Sequence, residues 1–195
     1  MLILLKIICW MLLGLLSRFS CASTDGNLTS STCVCTTVPC PVYGKNYLTE
    51  GGGGQGEYNY RDHAGHYVVT SASATISSND LDKGSDTTSC TQSYSRTLDD
   101  DGVEDCDAGH ILANRLGGPG NQPINIFPQD LSINRGSYAQ FEDDIYDCVK
   151  GGATSASLAW DFTYESTSHT KPYKVSYTAT FTGGPCATLS QVFSN

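Results

Sequence analysis

The stretch NRGSYAQFEDDIYDCV, residues 134–149, is where the chain changes its hydrophobic period. Tyr138, Phe141, Ile145 and Val149 recur at steps of three and four, the stripe of an amphipathic helix with one face on a core. On this reading the four are packing residues and not a stacking surface for bases. Asn134 stands where a helix cap is needed, and Gly151-Gly152 follows as a stop. On either side the period drops to two. Tyr58 to Arg61 and His66 to Ile76 alternate and are rich in β-branched residues, with Asp62 to Gly65 as the turn of a hairpin. Ser155 to Tyr164 and Lys174 to Thr182 read as a closing antiparallel pair around a polar turn that contains Pro172. Strands, one main helix and strands again make an α+β domain of antiparallel strands. Residues 78–107 read as a polar surface connection with a short strand near Tyr94 to Thr97. The run Asp99-Asp100-Asp101 lacks calcium-loop spacing and reads as solvated.

The ends of the chain read differently. Met1 to Ala22 has the make-up of a secretory signal: Lys6, an apolar run to Leu16, then small residues at Ser20-Cys21-Ala22. The apolar run is too short to span a bilayer comfortably, so the mature chain is expected to be secreted, with no membrane partner. Residues 23–56, closing on Gly51 to Gly54, read as a Cys/Gly-rich flexible leader, and 57–195 as the folded domain. Asn27-Leu28-Thr29 is a glycosylation sequon. Removing the signal takes Cys9 and Cys21 and leaves seven cysteines, which suits three bridges and one left over. The spacing does not fix the pairing. Cys33, Cys35 and Cys40 lack the paired spacing of a zinc site and fit disulfide stapling better.

Charge restricts the partners. Twenty acidic residues face eleven basic ones, and two of the basic ones, Lys6 and Arg18, lie in the signal; the mature chain therefore carries about −11. Such a balance makes any electrostatic grip on phosphates weak. A bound metal ion could still supply positive charge at one place.

Between Asp107 and Glu142 the residue types are those of a site. The segment holds Asp107-Ala108-Gly109-His110, Asn114-Arg115, three glycines (Gly117, Gly118, Gly120), Asn125, Pro128-Gln129 and Asn134-Arg135-Gly136. Glu142 lies on the helix that follows. A hard divalent cation takes oxygen ligands and keeps most of its waters, so one or two protein contacts suffice. Histidine is largely neutral at pH 7, as a base that activates water must be. If one regular helix joined Asn134 to Glu142, the two would lie about 12 Å apart along its axis and about 80° apart around it.

The string DAGHILANRLGG, followed by NIFPQ and INRGSYAQFE, resembles the DNA/RNA non-specific endonucleases with the ββα-metal (His-Me finger) core. It is closest to their D-x-G-H-L-I-A-N/S-R-F-G-G branch. GHYVVTSASATIS and KPYKVSYTATFTGG are similar to the family's strands before and after the site. The resemblance implies metal-dependent hydrolysis of DNA, RNA or both, leaving 5′-phosphate ends. His110 matches the general base, Asn134 the direct metal ligand, and Glu142 the acid that holds the metal's water. The implied cofactor is Mg2+, with Mn2+ or another divalent cation as the alternative. Many relatives carry arginine beside the base, where this chain has Ala108. Arg115 is then the first candidate to take phosphate in catalysis and Arg135 the second, because a guanidinium forks onto phosphate. Asp107 is expected to brace the loop, and Asn125 and Gln129 to fix the turn before the helix by hydrogen bonds.

A second A-G-H lies at Ala64-Gly65-His66, preceded by His63. No Pro-Gln or Asn-Arg-Gly follows it at the matching distance, so His63 and His66 read as turn and strand residues. His169 falls in a polar loop. An alternative from another class is a secreted, disulfide-stabilised binding module that keeps the fold without the chemistry. A toxin nuclease delivered against competitors would share the chemistry. No motif identifies an inhibitor protein.

Overall fold

The computed structural model describes residues 20–21, 35–36, 44–48, 55–98 and 106–195. It divides into Met1–Cys40 and Pro41–Asn195. In the first unit Ser20–Cys21 pairs antiparallel with Cys35–Thr36. The remainder of the signal segment, the Asn27 sequon and the Asp99 to Asp101 run lie outside the described residues. In chain order the second unit runs β1 (Gly44–Leu48), β2 (Gln55–His63), β3 (His66–Ile76), α1 (Ser89–Thr97), β4 (Cys106–His110), β5 (Ile126–Asp130), α2 (Ala139–Lys150), β6 (Ser155–Thr163), β7 (Lys174–Thr182) and β8 (Leu189–Ser194).

Six strands form an antiparallel sheet in the order β8-β7-β6-β3-β2-β1, and β4 pairs with β5 in a separate two-stranded sheet. Alternation along the strands gives the large sheet one apolar face: Ala72, Ala74 and Ile76 on β3, Leu158, Trp160 and Phe162 on β6, Val175 and Tyr177 on β7. Helix α2 covers this face. Phe141 packs at 4.8 Å from the Tyr177 ring and 5.8 Å from Phe193, and Tyr138 at 4.8 Å from Phe193. Tyr138, Phe141, Ile145 and Val149 are all buried, as the stripe requires. Each such side chain contributes about 1.5–3 kcal/mol by leaving water. The fold is α+β, mostly antiparallel, with one main helix.

Three local readings need correcting. Residues 89–97 are a helix, α1, where the sequence suggested a strand within a connection. Thr88 caps it and exchanges bonds with Thr91, a capping box with threonine where Glu or Gln is usual. Its buried positions are Cys90, Thr91 and Ser95, so no apolar stripe betrays the period. Next, Asn134 is not a helix cap. A wide turn over Ile133–Tyr138 precedes α2, and Gly136 breaks it with φ −116° and ψ −108°. The regular-helix distance between Asn134 and Glu142 therefore does not apply. Finally, β8 went unseen, and the stretch read as leader supplies β1 as an edge strand on β2. A disulfide between Cys148 and Cys186 ties the end of α2 to the segment before β8, and Cys90 is also disulfide-bonded. Among the described residues no helix is long and apolar enough to cross a membrane.

Candidate active site

Two short strands, β4 and β5, the helix α2 and the turns that join them carry the residues singled out in the sequence. Register puts Asp107 opposite Gln129, Gly109 opposite Phe127 and His110 opposite Ile126. Gly109 is required by closeness: a Cβ there would lie 2.4 Å from Gln129 Oε1 and 2.9 Å from Gln129 Cβ. Gln129 is fully buried and its amide has no hydrogen-bond partner among the described residues. Asn125, equally buried, is satisfied completely. Its Oδ1 accepts from Tyr58 OH at 2.8 Å and from Leu112 N at 2.8 Å, and its Nδ2 donates to the carbonyls of Leu112 and Pro119 at 3.0 and 3.2 Å. Asn125 thus braces the loop after His110, not the turn before the helix.

His110 ends β4 half-buried. Its Nε2 lies 3.1 Å from the Ser85 carbonyl oxygen. A carbonyl only accepts, so Nε2 carries the hydrogen and Nδ1 keeps the lone pair. Burial pushes the imidazole pKa below its ordinary value, against the smaller opposing effects of the Ser85 bond and the Asp86 charge. A ring held neutral with one free nitrogen is what a base at neutral pH needs.

Asp107, three residues before His110, gathers the groups on the turn before α2. Asn134 Nδ2 donates to its Oδ2 at 2.9 Å, and Arg135 donates from Nε and an Nη to its two oxygens at 2.8 Å each. Burial raises the Asp107 carboxyl, but those bonds and the Arg135 charge outweigh it and hold the group below its usual pKa. A carboxylate cannot donate, so the Asn134 amide must turn its NH2 to Asp107 and leave Oδ1 for another partner. Arg135 remains mostly exposed, with its Nε–Nη2 edge on Asp107.

Glu142 lies on α2 with Oε1 buried and without a hydrogen bond. Burial raises its carboxyl pKa well above the ordinary range, with the Arg115 charge pulling the other way. Arg115 is ion-paired to Asp143 and stacks 4.0 Å over the Tyr146 ring, yet its side chain stays 40% exposed.

Two groupings therefore form, Asp107 with Asn134 and Arg135, and Arg115 with Asp143 beside Glu142. No hydrogen bond or ion pair joins His110, Asn134 and Glu142 to one another. Ser85, Asp86 and Tyr58 were missed in the sequence, since a backbone carbonyl or a core tyrosine leaves no motif. The other A-G-H copy falls at the β2–β3 hairpin. His63 is buried, its Nδ1 donating to the His169 carbonyl at 2.8 Å and its ring 4.8 Å from Tyr164, while His66 is exposed. His169 is half-buried, with Glu165 at 3.5 Å. Among the described residues no three His, Cys, Asp or Glu side chains cluster as a metal cage.

Sequence and structure comparisons add the relatives. The family described as DNA/RNA non-specific endonuclease matches residues 46–179. A protein named "Probable deoxyribonuclease RhsA" from Dickeya dadantii (strain 3937) is 39% identical over 115 residues, 59% of this chain. The chain spans only 8% of that relative's length. The crystal structure of NucA from Streptococcus agalactiae with magnesium ion bound aligns with a TM-score of 0.47 at 10% identity, over 90% of this chain and 78% of that one.

Proposed function

We propose that this chain, which belongs to the DNA/RNA non-specific endonuclease family, is a secreted enzyme that hydrolyses DNA, RNA or both with His110 as general base. The observation that carries the reading is the half-buried His110 with Nε2 committed to Ser85 and Nδ1 left to accept a proton. Nδ1 takes a proton from water, the water oxygen attacks phosphorus, and the bond to the 3′ oxygen breaks, that oxygen taking a proton from solvent, to leave a 5′-phosphate. The ring then returns its proton to solvent.

The donor set fits a hard divalent cation. Asn134 Oδ1 is left over once Nδ2 has gone to Asp107, and Glu142 Oε1 is an orphaned buried oxygen. Asn134 would hold the ion directly and Glu142 through its water, with Mg2+ the first choice and Mn2+ the second. When bound, such an ion supplies charge against the phosphate and the departing 3′ oxygen. Arg115, within the matched motif, is the first phosphate partner, and Arg135, with its Nε–Nη2 edge on Asp107, the second.

The test is digestion of plasmid DNA and of RNA by the oxidised full chain, with Mg2+ and with chelator. Cleavage that the chelator abolishes supports the reading; intact substrates across several divalent metals sink it. Secretion is checked by N-terminal sequencing of the exported product, which should begin near Ser23. One observation favours the binding-module reading: both arginines near the site are already paired, with Asp143 and Asp107, in an acidic chain. A thermal midpoint unmoved by millimolar Mg2+ would favour that module, because a ligand that binds only the folded form must raise it.

A further inference from the structure

A five-residue strap, Asp82 to Asp86, lies against the loop that follows His110. Asp82 N donates to the Arg115 carbonyl at 2.9 Å and Ser85 N to the Gly118 carbonyl at 3.1 Å. Gly120 N donates back to Ser85, to its carbonyl and its hydroxyl, at 3.0 Å each. Side chains fasten both ends: Tyr146 OH donates to Asp82 Oδ2 at 2.7 Å, and Asn114 Nδ2 to Asp86 Oδ1 at 2.7 Å. Gly84 permits the approach, because a Cβ there would lie 2.2 Å from the Asn114 carbonyl oxygen and 2.4 Å from that of Gly118. These bonds tie the strap to its neighbours at both ends and in the middle, although the sequence reads it as a surface connection.

We propose that this strap carries a positioning residue besides the Ser85 carbonyl already described: Asp86, one residue beyond that carbonyl and held by Asn114, offsets the positive charge on the ring after it takes water's proton. The inference rests on the general-base reading of His110. It adds the group that orients the base, from outside the matched motif, in the role that a third residue plays wherever a base must be held in one tautomer. The neighbours of the ring agree. β5 sets the uncharged Ile126 opposite His110, the turn at 114–116 contributes the neutral Asn114, and Asp86 is the charged group that acts on the imidazole. The proton balance is simple. Neutral His110 accepts at Nδ1, becomes imidazolium under the influence of the Asp86 charge, and releases the proton to water.

Long-range 1H–15N NMR of the imidazole tests this without substrate. The neutral ring in wild type should be the Nε2–H form; finding Nδ1–H would overturn the proposal. Asp86→Asn keeps an acceptor for Asn114 and removes the charge. It should lower the His110 pKa by roughly half a unit or less, the size expected of an exposed charge, and Asp86→Glu should restore it. The acid limb of kcat/KM should move by the same amount in the same direction, and the difference should shrink as salt screens the pair. An Asp86→Asn protein that folds normally but titrates like wild type overturns the proposal, whatever its activity. Cleavage that survives His110→Ala overturns the general-base reading, and this inference falls with it. Wild-type activity lost in His110→Ala, with no change in Asp86→Asn titration, overturns this inference alone.

Discussion

Ala-Gly-His occurs twice in this chain, at 64–66 and at 108–110, and the two copies fold into opposite roles. The first turns the β2–β3 hairpin. Ala64 and Gly65 take φ of 51° and 84°, the paired left-handed positions of a tight two-residue turn, and Asp62 accepts from Gly65 N at 2.8 Å. His66 is left exposed. The second runs straight along β4, where Gly109 is squeezed by Gln129 and His110 is aimed at Ser85. In one copy glycine supplies a backbone angle; in the other it supplies room. The difference teaches that three identical residues carry no chemistry until distant segments close over them.

The strongest way to break this comparison is to remove each histidine. His110→Ala should lower the cleavage rate about 100- to 10,000-fold, with the fold intact by circular dichroism, while His66→Ala should cleave plasmid and RNA like wild type. Equal rates in the two variants would mean that the site has been placed on the wrong copy.

Next come the glycines. Gly109→Ala must push the buried Gln129 aside, at a cost of about 1–3 kcal/mol, and about 2–4 °C of melting temperature goes with each kcal/mol at this chain length. Gly65→Ala meets nothing within 4 Å and is penalised only by its left-handed backbone, about 1–2 kcal/mol. Stability alone separates them poorly. Only Gly109→Ala should also reduce kcat, because the substituted residue directly precedes the base and shifts the strand that carries it.

The pH dependence sharpens the comparison further. A base works only while deprotonated, so the rate is lost as pH falls through its folded pKa. Burial sets that value for His110 below the ordinary histidine value of about 6.5. The acid limb of kcat/KM should therefore lie below about 6.5. The same shift reaches stability: the unfolded chain takes up its proton first as pH falls, so His110 favours unfolding there. The smallest effect is that of His66→Ala on the melt, within about 0.5 kcal/mol for an exposed side chain without special contacts.

Legibility followed range along the chain. The α2 stripe, the hairpin and the β6–β7 pair were readable because period is a property of neighbours a few residues apart. Helix α1 was not, since its buried side is Cys90, Thr91 and Ser95 and leaves no apolar signal. In the site, the motif brought out His110, Asn134 and Glu142. Their partners were hidden: Ser85 stands 25 residues from His110, Asp107 27 from Asn134, and Tyr58 67 from Asn125.

By itself, then, the sequence determined the β2–β3 hairpin, the α2 stripe and the β6–β7 pair, their order, and the residue types from which a nuclease site is built. Local periodicity and covalent spacing are enough for that. Only the tertiary structure decided which nitrogen of His110 carries the hydrogen, which way the Asn134 amide faces, and that Arg135 is engaged by Asp107. Each of those depends on a hydrogen bond between segments far apart in the chain. A donor or acceptor reveals its direction only when its partner is in place.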